Sequence, residues 1–129
     1  MRDYQSVKNN PYLLPDTLYR RVIALIRDYD RLKDEYHEVL HSGGQRPDGQ
    51  PRGTQVSNPT ERKAIRMALI SSELKAVEQA IVVIPHEYRN GVQDNVTYQV
   101  RYPDDADPRT YRRWKQRFIY SVAANMNYI

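Results

Sequence analysis

Residues 18–39 read LYRRVIALIRDYDRLKDEYHEV, and the fold turns on how far this stretch runs as one helix. Leu18, Val22, Leu25, Tyr29, Leu32, Tyr36 and Val39 recur at alternating spacings of four and three. That is a heptad seam, which lines one face of a helix. Charged residues such as Arg27, Asp28, Arg31 and Asp34 fill the faces between. Pro15 and Asp16 suit a helix start, and His41, Gly43 and Gly44 suit its end. The pattern predicts a single helix of about seven turns, at about 3.6 residues per turn.

Residues 42–58, SGGQRPDGQPRGTQVSN, hold four of the five glycines and two prolines, the composition of a flexible loop. The NPTE at 58–61 then marks a second helix start, with Asn58 as cap, Pro59 at the first helical position and Glu61 in the first turn. Met67, Ile70, Leu74, Val77, Ile81 and Ile84 repeat at three and four until Pro85 ends the run. Two seams joined by a loop predict an antiparallel, coiled-coil-like helical hairpin over residues 1–84. Ile23, Ile26, Ile65 and Leu69 lie outside the two stripes, which predicts a further partner on that face. A second copy is favoured, giving a homodimer, with the C-terminal helices as the other candidate cover.

Residues 85–129 read as a C-terminal module of two shorter helices, which makes the whole chain all-α. HEYRNGVQDNVTYQV (86–100) gives a helix on Tyr88, Val92 and Val96, although Gly91 and the β-branched residues work against it. RYPDDADP (101–108) is a turn in which Asp107 caps and Pro108 opens the final helix. Tyr111, Trp114, Phe118 and Val122 form the inward stripe of that helix, with Trp114 and Phe118 as its anchors.

A chain of 129 residues is one domain, or a hairpin with a small module appended. With 28% charged and 40% hydrophobic residues it is expected to be globular. The absence of cysteine excludes disulfides and thiolate metal sites. No stretch reaches the length of a membrane span, and the N-terminus lacks the apolar core of a signal peptide, so a cytoplasmic protein without a membrane partner is expected.

HEVLH at 37–41 has the spacing that zinc peptidases use, two histidines on one helix face beside a carboxylate. The extended form of that motif would carry a third histidine at position 47, which is Pro47. Glu61 or Glu73 could substitute as a ligand, but no strand to hold a substrate precedes the helix. Cationic side chains also suit the negative end of a helix. His37 and His41 are therefore read as a solvated helix end. No enzymatic activity, catalytic residue, metal or cofactor is expected.

The charge points elsewhere. The whole chain carries only +4, yet residues 108–129 hold Arg109, Arg112, Arg113, Lys115 and Arg117 and no acidic residue. These alternate with the apolar stripe, giving a helix that is greasy on one side and basic on the other. Arginine and glutamine clamp phosphates and read guanine and adenine edges. The first turns of a recognition helix make most base contacts. The candidate nucleic-acid-binding residues are therefore Arg109, Thr110, Arg112, Arg113, Lys115, Gln116 and Arg117.

Three segments occur in a telling order: SNPTERKAI (57–65), AVEQAIVVIPHEYRNGV (76–92) and RTYRRWKQRFIYSVA (109–123). Together they resemble the RinA/ArpU type of phage regulators, late-transcription activators of phages and prophages of Gram-positive bacteria. The similarity covers about residues 18–126. It implies a helical N-terminal region before a helix-turn-helix-like module similar to the DNA-binding region 4 of sigma factors. The family's Thr-aromatic-x-Arg-Trp pattern is matched by Thr110, Tyr111, Arg113 and Trp114. The resemblance implies transcription regulation in the host cytoplasm with DNA as partner. The alternative is a small prophage interaction protein that inhibits or redirects a host nucleoprotein machine, either RNA polymerase or an RNA-guided nuclease, in the manner of an anti-CRISPR.

Overall fold

The heptad seam of residues 18–39 is carried by two helices, not one. The computed structural model describes residues 5, 7–43 and 57–129. In it α1 spans Asp16–Arg27 and α2 spans Tyr29–Gly43. Asp28 ends the first and starts the second. Its backbone N–H donates to the carbonyls of Ala24 (3.0 Å) and Leu25 (3.1 Å), while its own carbonyl accepts from the N–H of Leu32 (2.9 Å). The Asp28 carboxylate accepts from the Arg31 guanidinium, which lowers its pKa and fixes the first turn of α2. Aspartate favours such junctions because its short polar side chain competes with the helical ladder. With one residue between the helices, the seam's spacing passes through the junction unbroken, and so a single helix was expected there.

The break matters because the two halves have different partners. Tyr19, Val22, Ile23 and Ile26 of α1 are buried in a cluster with residues of α4 (His86–Tyr98) and α5 (Pro108–Asn125). Leu32 of α2 instead packs with Ile70 and Leu74 of α3 (Ser57–Ile81). Tyr29 donates to Glu78 and the Arg66 guanidinium grips Glu35 with two bonds (2.9 and 3.0 Å). Numbers that rise along α2 thus meet numbers that fall along α3, so the two run in opposite directions. The long hairpin of two unbroken helices is not what pairs here; only α2 lies against α3 in this way, and α1 turns to α4 and α5.

The second helix begins at Ser57 where Pro59 was expected to open it, a shift within the usual fraying of helix ends. Most of the expected loop, 42–58, lies outside the described residues. Beyond Leu74, the buried residues of α3 are Ala76, Val77 and Ala80, and Ile84 follows just past its end. They join the cluster that holds Phe118, Ile119 and Val122 of α5. The small Ala76 and Ala80 suit a close approach of the two helices. Asn125 also donates from α5 to the Ala76 carbonyl (3.0 Å). Residues on both sides of the boundary expected at 84/85 therefore share one core.

Ile23 and Ile26, expected to await a second copy, are 3% and 2% exposed inside this core. The C-terminal helices cover them. Ile65 and Leu69 of α3 do stay exposed, at 69% and 46%. All secondary structure among the described residues is helical, and none of these helices is long and apolar enough to cross a membrane.

Candidate nucleic-acid interface

The turn before α5 sets the site. Asp107 adopts an extended conformation and its side chain accepts from the backbone N–H of Arg109 (2.8 Å), with Pro108 following as the first helical residue. This is the cap and opening expected from the sequence. From there the inward stripe is settled: Tyr111, Phe118, Val122 and Ala123 are fully buried, Ile119 nearly so, and Trp114 is partly covered. Burying one face of the helix this deeply fixes which residues face out.

Tyr111 anchors the N-terminal half of α5. Its ring stacks on Tyr102 (5.2 Å, 11° between planes) and meets Tyr88 edge-on (5.3 Å), and its hydroxyl donates to Asp105. Burial pushes the pKa of Tyr111 up to about 12, with the Asp105 carboxylate adding to it, and burial also pushes Tyr102 up to about 12. Gly91 of α4 makes room for this cluster. A Cβ there would lie 2.5 Å from Tyr111 Cε1 and 2.9 Å from Pro103 Cδ. The glycine that weakened the case for a helix at 86–98 is thus required by close approach.

The seven candidate residues divide by environment. Arg112 and Arg113 are exposed and make no salt bridge among the described residues. Thr110 and Gln116 are half-buried beside them and line the same open groove of about 560 Å³. Arg109 shares that groove but is paired to Asp107 (3.0 Å), an interaction that lowers the carboxyl pKa and raises that of the guanidinium. Arg117 is not among the residues that line it, and its guanidinium lies 5.8 Å from the Trp114 ring and 6.0 Å from that of Tyr12.

Lys115 turns inward. Its ammonium donates to Asn95 Oδ1 (2.9 Å), and the Asn95 amide donates to the Val100 carbonyl (2.8 Å). Asn95 is 1% exposed and is the one buried polar residue among the described residues. Buried polar groups need such partners, so Lys115 serves the α4–α5 junction and leaves the basic face. Sequence periodicity placed Lys115 among the polar residues of α5 but could not supply Asn95, which comes from another helix.

Lys8 and Asn9, from the segment before α1, also line this groove. Asn9 sits in the left-handed region (φ 55°), which asparagine tolerates better than most residues. The Asn10 side chain accepts from the N–H of Tyr12 (2.9 Å), and Tyr12 meets Tyr120 of α5 edge-on at 5.3 Å. The Asn10-Pro11 pair is a turn signal in the sequence, but nothing local says where that turn docks.

His37 and His41 lie on the exposed side of α2 with their rings 6.3 Å apart and nearly parallel. Among the described residues, no group of three histidine, aspartate or glutamate side chains converges in a way that could hold a metal ion. No protein-family model matches the chain, and neither a curated protein nor a solved structure is significantly similar to it.

Proposed function

We propose that this protein is a phage or prophage transcription regulator, acting in the host cytoplasm, that holds DNA against the outward face of α5. The observation that carries the reading is the pair of exposed guanidinium groups, Arg112 and Arg113, on a helix whose opposite face is deeply buried. Such a helix fixes the backbone from which its cations project, so only their side chains remain to be ordered when phosphates bind. Thr110 and Gln116 beside them supply polar groups suited to base edges or phosphate oxygens. The phage assignment rests on the similarity of the three sequence segments to RinA/ArpU-type regulators.

The connection between α4 and α5 runs over residues 99–107, longer than the three or four residues of a helix-turn-helix. In this reading α5 is therefore presented by the stacked tyrosines and Pro103, not by a tight turn. The test is fluorescence anisotropy on DNA from the phage's own late promoter, titrated at low and rising salt. The wild-type chain should bind, with log affinity falling by about 0.9 per log unit of salt for each neutralised phosphate. Arg112→Glu combined with Arg113→Glu should abolish binding while leaving the fold intact. No binding by the wild type at low salt sinks the reading.

A second reading is favoured by the exposed Ile65 and Leu69 on α3. They suit docking to a second copy, as a homodimer, or to a host nucleoprotein such as RNA polymerase or an RNA-guided nuclease. Light scattering with and without Leu69→Asp separates these: a dimer that the substitution splits supports self-association. A wild-type monomer in a chain that nuclease-treated host lysate also fails to retain removes both.

A further inference from the structure

We infer that the segment before α1 is the second wall of the nucleic-acid groove, with Lys8 as a phosphate-binding residue and Gln5 as the residue that positions it. The inference rests on the DNA reading above and extends the site beyond α5.

Lys8, Arg109, Arg112 and Arg113 line the groove against a single carboxylate, Asp107. Asp107 is occupied twice over, capping the backbone of α5 and pairing with Arg109. The helix N-terminus is thus already capped by a carboxylate and is not itself the anion site. What the groove offers an anion is a lining shared by Lys8, from before α1, with Arg112 and Arg113 of α5.

Like charges held along one groove repel each other unless something compensates, and the chain does not scatter them. Gln5 clamps the backbone of Leu14 with both ends of its side-chain amide, accepting from the Leu14 N–H (2.9 Å) and donating to its carbonyl (2.5 Å). Leu14 is itself buried in the core, 4% exposed. The intervening chain turns at Asn9 and Asn10 and is pinned to α5 through Tyr12 on Tyr120. The chain that carries Lys8 is therefore tethered to the core and to α5 by contacts made on either side of it.

From Arg109 to Gln116 the axis of α5 advances about 10 Å at about 1.5 Å per residue. One DNA strand places a phosphate about every 3.4 Å of axis. The groove then faces about three phosphates, the number its excess of cations over Asp107 would neutralise.

The experiment compares the salt dependence of DNA binding for the full chain, Lys8→Gln, Gln5→Ala and Lys63→Gln. Lys63 is an exposed lysine of α3 outside the groove and serves as the control. Lys8→Gln should reduce the slope of log affinity against log salt by about one contact. The wild-type advantage should then shrink about three- to fourfold between about 50 and 200 mM salt. Gln5→Ala should lower the slope in the same direction although Lys8 is still present, which a residue that merely stabilises the fold would not do. Lys63→Gln should leave it unchanged. A wild-type slope in Lys8→Gln overturns the inference and leaves α5 as the binding element. Equal losses in Lys8→Gln and Lys63→Gln also overturn it, because the effect would then be one of net charge. If the wild type binds no DNA at low salt, the DNA reading and this extension of it fall together.

Discussion

Gly91→Ala should destabilise the protein, against the usual effect of that substitution in a helix. Gly91 is buried inside α4, where alanine is ordinarily favoured by about 0.8–1.0 kcal/mol. Here the new methyl would lie 2.5 Å from Tyr111 Cε1 and 2.9 Å from Pro103 Cδ, where ordinary contact begins at 3.4 Å. The Tyr111 ring must retreat by about 0.9 Å, yet Tyr102, Tyr88 and Asp105 hold it on three sides. Overpacking of this kind costs about 1–3 kcal/mol, and contact with two rings places it in the upper half of that range. The net loss is then about 1–2 kcal/mol. With a urea dependence of about 2 kcal/mol per molar, the midpoint should fall by about 0.5–1 M. Urea titration followed by far-ultraviolet circular dichroism, and by the fluorescence of the single tryptophan, Trp114, measures it directly. In a Tyr111→Leu background the closer of the two clashes is removed while that with Pro103 remains, so the cost of Gly91→Ala should shrink without vanishing, and the double-mutant cycle isolates the Tyr111 contact. A higher midpoint for Gly91→Ala alone would refute the reasoning, since only helix propensity would then be acting.

Asn95→Leu removes the acceptor of Lys115 and the donor to Val100 together, at a cost of about 1–3 kcal/mol. The midpoint of thermal unfolding should drop by about 3–10 °C; an unchanged melt would mean that Lys115 and Val100 find water as readily. Tyr102 and Tyr111 have pKa values raised to about 12 from an ordinary 10.0, so the folded state holds their protons more tightly than the unfolded one. Their contribution to stability is complete below pH 10 and is lost as pH rises from 10 towards 12. Ultraviolet titration of tyrosinate should show a late-ionising group that appears together with unfolding; a single wave near pH 10 for all 11 tyrosines would contradict it.

Much of this protein is legible in its sequence because much of it is local. Spacings of three and four identified Leu32, Ile70, Leu74 and Val77 as buried, and all four are. Asp107 and Pro108 declared the start of α5 through capping chemistry that involves only their immediate neighbours. The alternation of Tyr111, Phe118 and Val122 with arginines fixed which side of α5 faces out, because a helix repeats its faces every few residues whatever it packs against. Tertiary structure decided what periodicity cannot carry. A heptad seam is indifferent to a one-residue junction, so the break at Asp28 left no trace in the spacing. Ile23 and Ile26 looked like an interface because periodicity reports that a face is apolar but not what covers it; α4 and α5 do. Lys115 left the basic face for Asn95, Gly91 made room for a ring 20 residues away, and Lys8 came to lie beside Arg112. Each of these joins segments far apart in the chain, and such contacts follow from how the helices close on one core.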